Sequence, residues 1–337
     1  MTSENNLLFL TDADTRRILN WPGAIACLTA AYQFPDNPRA IPPRVVARRE
    51  GAWLRALAAI SPSGRYMGAK VFGGSKRGVS YLIALWEQQT GALACLLDGQ
   101  HVTAVRTAAT SALAVSRLTP QAPLRVAVLG SGAEANTHVR AVAAVRSIKS
   151  LAVFSPTPRK REDFARTCAA ELKLDAHAVE SAQAAVAGAE LVIAAARSRD
   201  ETPILHGAWL APGMTVVSIG STVPEQHEVD VDVVRRSDLI VVDVMDEVIH
   251  ETGDMLDARA ANVEFEPKMA TLADLVQGRC TGRRRADEII MFKSVGSALQ
   301  DIAVAELCFE RARAQGIGSA LPVGLEIKNK KPAAPNL

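Results

Sequence analysis

Three cations in the first third of the chain sit in contexts suited to holding an anionic substrate: Arg44, Lys70 and Arg106. Arg44 follows two prolines in IPPR, a rigid extended setting that aims its side chain. Lys70 lies in YMGAKVF among apolar neighbours, where an unpaired ammonium is costly. Arg106 opens the helical stretch VRTAATS, so a carboxylate there can meet a planar guanidinium and nearby helix amides. The trio suits an amino-acid carboxylate, and Lys70 can also donate a proton to a carbon–nitrogen double bond during its reduction. Taken singly, each has a plainer explanation: a strand lysine usually snorkels to solvent and an arginine at a helix start usually finds an ion pair.

The chemistry such a substrate needs is suggested by RVAVLGSGAEANTHVRAV, Arg125 to Val142. A buried strand, a glycine turn and a helix in that order open a dinucleotide-binding crossover. Gly130 permits the tight turn, and Gly132 lets backbone amides approach a pyrophosphate, with Ser131, Ala133 and Glu134 beside it. Ala135 is small enough for close helix packing. The next strand, LAVF, ends at Ser155, where NAD sites usually carry a carboxylate for the ribose hydroxyls. In its place SPTPRKR offers Ser155, Thr157, Arg159, Lys160 and Arg161, the hydroxyls and positive charge that a ribose phosphate requires. This predicts NADP(H) as the preferred cofactor and NAD(H) as the alternative. The plainer reading of the run is a solvated first helical turn.

Other chemistries find little support. The six histidines sit in no spacing that names a metal site or a triad, and there is no GxSxG elbow. Glu247, His250, Glu251 and Asp254 form a polar group after a sheet strand and read as a loop or helix face.

These residues need elements to carry them. From Leu124 onward the apolar runs RVAVLG, LAVFS, AHAV, AELVIAAA, TVVSIG and SDLIVVDV alternate with helical stretches, which predicts an α/β, Rossmann-type doubly wound parallel sheet. Its ligand crevice should lie at the carboxyl ends of the strands, near Gly130 to Ala133, Ser155, Ala196 to Ser198 and Gly220 to Thr222. Before it, TDADTRRIL is a capped helix, with Thr11 or Asp12 placed to accept the first free amides. AWLRALAAI, YMGAKVFGG and LIALWEQQTGALACLLDG read as antiparallel strands, with a hairpin at Gln89–Thr90–Gly91. The Ala-rich helix VRTAATSALAVSRL leads through TPQAP into the glycine-turn strand. Near the end IIMFKSVGSALQDIAVAELCFERARAQGIG reads as a strand, a turn and a long helix closed by Gly316, whose apolar face can return to the first unit.

The chain has 337 residues, a net charge of +2 and 48% hydrophobic residues, as expected of a globular protein with room for two domains. Its charges are scattered and its aromatics few, so no nucleic-acid partner is expected. No apolar stretch is long enough to span a membrane, and no secretion signal is evident. Cys27, Cys95, Cys168, Cys280 and Cys308 are odd in number and lack a CxxC, which predicts reduced thiols in a cytoplasmic protein, with no metal site.

TAVRTAATS, VAVLGSGAEA, PILHGAWLAPGMTVVSIGS and MFKSVGSALQD together resemble the ornithine cyclodeaminase/mu-crystallin family, from about Leu10 to Gly318. RTAATS just before the glycine turn is the more specific sign. The resemblance implies a nicotinamide-binding domain paired with a discontinuous α+β substrate-binding and dimerisation domain. The expected division is 1–121 with 300–322 for the latter, 122–299 for the Rossmann NAD(P)-binding domain, and a flexible tail at 323–337. It also implies a homodimer and a small amino or imino acid as substrate. Arg44, Lys70 and Arg106 match the family's carboxylate and proton-handling positions, and Ser221, Thr222, Val295 and Gly296 join the cofactor side. Where the cyclodeaminases carry Gly-Gly-Asp, this chain reads Gly220-Ser221-Thr222, and a threonine is no carboxylate base at neutral pH. Val79 also stands where mu-crystallin-like members carry a histidine. The expectation is therefore a cyclic ketimine reductase of the pyrroline-2-carboxylate type. Ornithine cyclodeamination and alanine- or opine-type dehydrogenation are the alternatives, and a nucleotide-dependent binding protein without turnover ranks lower.

Overall fold

The computed structural model describes residues 7–35, 37–198 and 200–322. Two sheets carry the chain. The first contains β1 (Leu7–Leu10), β2 (Val45–Arg49), β3 (Ala52–Ile60), β4 (Tyr66–Ser75), β5 (Gly78–Glu87) and β6 (Leu93–Asp98), joined by Ser319–Leu321 from the far end of the chain. Across it the order is Ser319–Leu321, β1, β6, β5, β4, β3, β2. The expected antiparallel strands are β3 to β6, and Gln89–Gly91 lies between β5 and β6 as anticipated. β1, β2 and Ser319–Leu321 were not anticipated. β2 is exposed at every position and carries two arginines, so it lacks the alternation that marks a half-buried strand.

Register decides what faces the interior. Leu57 lies opposite Lys70 and Arg55 opposite Phe72; across the next pair, Lys70 meets Ile83 and Phe72 meets Tyr81. Because side chains alternate along a strand, these residues share one face of the sheet.

The second sheet contains β7 (Leu124–Leu129), β8 (Ile148–Phe154), β9 (Asp175–Ala178), β10 (Leu191–Ala194), β11 (Thr215–Ser218), β12 (Leu239–Val242), β13 (Met269–Thr271) and β14 (Ile290–Lys293). Its order is β13, β12, β14, β11, β10, β7, β8, β9, with every pairing parallel. The chain leaves β7 through β8 and β9, then returns to β10 on the other side, which opens a crevice at the carboxyl ends of β7 and β10. Every residue of β10, β11 and β14 is buried, which is why these strands read as largely apolar, with the buried polar groups Thr215, Ser218 and Lys293 only at strand ends. The late strand expected at IIMFK is β14, which inserts between β11 and β12, and the one strand not anticipated is β13.

Helix Gly99–Leu118, capped by Asp98, runs from the first sheet to the second; it starts well before Val105, so Arg106 lies inside the helix and not, as expected, beside its free N-terminal amides. Ala108, Ala109 and Ala112 are fully buried along it, and their small size lets helices 21–32, 133–143 and 298–315 approach closely. Helix Ala298–Gln315 ends at Gly316 and packs on β3, β4 and β5, so the end of the chain does return to the first sheet. The tail at 323–337 lies outside the described residues.

Candidate active site

Lys70 on β4 is 2% exposed, Arg106 on helix 99–118 is 7% exposed, and Asp301 on helix 298–315 is 0% exposed. Lys70 Nζ donates to Asp301 Oδ1 at 2.8 Å, and Arg106 Nε donates to the same oxygen at 2.9 Å. Arg106 Nη1 also donates to Gln300 Oε1 at 2.8 Å. One carboxylate thus serves two buried cations, which leaves one positive charge for an incoming anion. Arg44 Nε donates to Glu247 Oε2 at 2.6 Å, and its Nη2 donates to the carbonyls of Val295 at 3.0 Å and Gly296 at 2.8 Å. The structure brings all three predicted cations to the wall of one cavity of about 430 Å³. Burial outweighs the attraction of Asp301 and, with the like charge of Arg106, lowers the Lys70 pKa to about 7.

The opposite wall comes from the second sheet. Gly130 has φ +126°, and a Cβ there would lie 2.7 Å from the Ala195 carbonyl oxygen, so the turn needs glycine. Gly132 caps helix Ala133–Ala143; no side chain caps its first amides, and a Cβ on Gly132 would meet nothing within 4 Å. That open cradle of free amides fits a diphosphate. Glu134, one residue into the helix, lines the cavity, as do Thr222, Val295 and Gly296. Ser131 Oγ donates to Ser155 Oγ at 2.9 Å and ties the turn to the end of β8. Beyond Ser155, Thr157, Arg159 and Lys160 are exposed. Arg161 departs from the expectation. It is buried, pairs with Glu180 and donates to the Ser155 carbonyl at 3.2 Å, because one turn into helix Pro158–Leu172 its position faces the sheet. The basic run is therefore split between an exposed pair and a structural arginine.

The loop after β11 is held from below. Glu228 Oε2 accepts from Ser218 Oγ at 2.7 Å and from the amides of Ile219 and Gly220, each at 2.8 Å. Burial pushes the Glu228 carboxyl up to about 7. Ser221 is fully buried and donates to the Gln226 carbonyl at 2.6 Å, so its hydroxyl serves the loop. Thr222 Oγ1 donates to Gln226 Oε1 at 3.1 Å. The loop after β14 is fixed by Asp243, which accepts from the Val295 amide at 3.0 Å and the Gly296 amide at 2.8 Å. Gly296 has φ +79°, and any Cβ there would collide with the Arg106 guanidinium. Val79 is exposed beside the β4–β5 turn.

The four residues read as one polar group after β12 do not stay together. Glu247 pairs with Arg44, Asp254 receives the buried Lys293 ammonium at 2.6 Å, and His250 lies near Arg259. Two short helices, Met245–Glu251 and Gly253–Ala260, turn them in different directions. Asp301, Gln300, Asp243, Glu228 and Arg55 were not anticipated. A signal existed for Asp301: a carboxylate in the otherwise apolar stretch SALQDIAVAEL requires a buried cation.

No group of His, Cys, Asp and Glu suited to a metal ion occurs among the described residues. None of their helices is long and apolar enough to cross a membrane.

The profile of the Ornithine cyclodeaminase/mu-crystallin family matches residues 40–316. The chain belongs to that family. It is 27% identical over 287 residues to a Delta(1)-pyrroline-2-carboxylate reductase of Bacillus cereus, covering 85% of each chain. It is 28% identical over 228 residues to the ketimine reductase mu-crystallin of Mus musculus, covering 68% of each. Among solved structures, the Thermococcus litoralis Delta(1)-pyrroline-2-carboxylate reductase in complex with NADH and L-proline superposes with a TM-score of 0.87 at 27% identity, covering 94% of this chain and 100% of that one.

Proposed function

We propose that this protein is a nicotinamide-dependent oxidoreductase that reduces the carbon–nitrogen double bond of a small imino acid, with a cyclic ketimine carboxylate such as pyrroline-2-carboxylate as the leading substrate. The observation that carries the reading is the shared Asp301 carboxylate: Lys70 and Arg106 converge on it at 2.8 and 2.9 Å beside the open glycine cradle. A bound reduced nicotinamide dinucleotide supplies the hydride for the imine carbon. Arg106 and Arg44 hold the substrate carboxylate, and Lys70 provides the proton that the imine nitrogen takes up as the double-bond electron pair moves onto it. Gly130, Ser131, Gly132, Ala133 and Glu134 would surround the dinucleotide's phosphates, while Thr222, Val295 and Gly296 frame the nicotinamide side and the buried Ser221, expected beside them, holds the loop from behind.

We assign NADP(H) as the preferred cofactor because Ser155 puts a hydroxyl where a ribose-binding carboxylate would stand, with Thr157, Arg159 and Lys160 exposed beside it. Residues 122–299 form the cofactor domain in this reading, and 1–121 with 300–322 the substrate and dimerisation domain. Homodimerisation is supported by the exposed Val45, Leu54 and Leu82 on the first sheet. The five free thiols suit a reducing, cytoplasmic setting. Thr222 leaves that loop position without a carboxylate base, which favours reduction over ammonia-releasing cyclisation of ornithine. Imine-dependent NADPH oxidation, run beside ammonia release from ornithine, tests the proposal.

A further inference from the structure

We infer that Arg55 recognises a second anionic group on the substrate, so that an imino acid, cyclic or open-chain, that carries a distal carboxylate is preferred to its monocarboxylate counterpart. The inference rests on the reductase reading above and specifies its substrate class.

Arg55 lies on β3, on the same inward face as Lys70, and lines the same cavity. It is held in place by aromatic rings. Its guanidinium carbon sits 5.1 Å from the Trp53 ring centroid and 5.9 Å from that of Phe72. Phe72 stacks on Tyr81 at 5.2 Å and meets Trp53 edge-on at 5.5 Å, so the wall is rigid.

What Arg55 lacks is a counter-ion. Its Nε is buried with no hydrogen-bond partner, and no carboxylate pairs with it among the described residues. Arg44, Lys70 and Arg106 all have one. Arg44 and Arg48 add like charge around it, and Glu247 and Glu251 offset that only from beyond ion-pairing distance. Glu134, the carboxylate on the cavity wall, stands on the cofactor side, where its charge acts on Tyr81 and Arg106. Four cations, Arg44, Arg55, Lys70 and Arg106, therefore share the two carboxylates of Glu247 and Asp301. The α-carboxylate of a substrate takes up one excess charge, and Arg55 carries the other. A half-buried guanidinium with a free donor binds an anion strongly, and its planar fork matches a carboxylate. A diamino acid would bring a distal ammonium against Arg55 and be repelled.

The test uses two five-carbon 2-oxo acids that differ only in the distal carboxylate, 2-oxoglutarate and 2-oxopentanoate. Each is titrated calorimetrically into the NADP⁺-loaded protein, and each is also supplied with ammonium and NADPH to form the imine and follow its reduction. 2-Oxoglutarate should bind at least about 10-fold more tightly, the scale of one charge-assisted hydrogen-bonded pair. Arg55→Met should remove that preference, and Arg55→Lys, which keeps the charge, should restore part of it. Equal binding of the two acids by the parent protein would overturn the inference, as would a preference that survives in a folded Arg55→Met variant. The two readings fail separately. A binding preference without NADPH oxidation by either imine or by pyrroline-2-carboxylate keeps the Arg55 assignment and refutes the reductase; equal binding with equal reduction of both imines does the reverse.

Discussion

Lys70 donates to Asp301 at 2.8 Å across 231 residues of chain. The contact joins the middle of β4 to the last long helix, so the positive centre of the cavity exists only once the end of the chain has packed on the first sheet. Folding and the assembly of the substrate site are thus coupled at one carboxylate.

Asp301→Asn keeps the shape of that side chain and removes its charge. Lys70 and Arg106 would then share a buried site without a counter-ion, which should cost about 3–5 kcal/mol of stability. Chemical denaturation checks this, and an unfolding midpoint equal to that of the parent would contradict it. Imine reduction by the folded fraction should fall as well, because both cations lose the acceptor that orients them.

The pH dependence follows from burial of the Lys70 ammonium, which lowers its pKa from 10.5 to about 7. In the proposed reaction the charged form is the proton donor, so kcat/KM for imine reduction should decline as pH rises above about 7, approaching tenfold per unit. A profile that stays flat across that range would remove Lys70 from the proton step. For stability the sign is opposite. Between about 7 and 10.5 the unfolded chain holds a proton that the folded chain has released, so this lysine's contribution rises with pH over that window and is lost as pH falls back through about 7.

Ser155→Asp places a carboxylate beside the glycine turn, where it can accept from ribose hydroxyls and repel a ribose phosphate. The ratio of catalytic efficiencies with NADPH and NADH should drop by at least about tenfold, the scale of one added negative charge facing a phosphate. An unchanged ratio would mean that Arg159 and Lys160 do not meet the cofactor's phosphate.

The sequence made the parallel sheet legible because strands covered on both faces are largely apolar, as LVIA and LIVV are. The antiparallel strands β3 to β6 were legible through alternation and their turns. β2 was not, because an exposed edge strand carries no such pattern, and β13 is only three residues long. Among the site residues, the glycine turn and the cations could be read because their chemistry is local. Asp301 and Glu247 complete the site from 231 and 203 residues away, a relationship that no spacing encodes. Arg161 misled for the converse reason: its neighbours in the chain are solvent-exposed basic residues, but the helix rotates it into an ion pair with Glu180.

The most direct test of the central claim is NADPH oxidation by the purified protein with freshly prepared pyrroline-2-carboxylate, measured beside ornithine plus NAD⁺ with ammonia detection. Imine-dependent loss of NADPH with no ammonia from ornithine is the predicted result, in keeping with Thr222 at the loop position where the cyclodeaminases carry a carboxylate. Ammonia and proline from ornithine would contradict the account and require another group to act as that base.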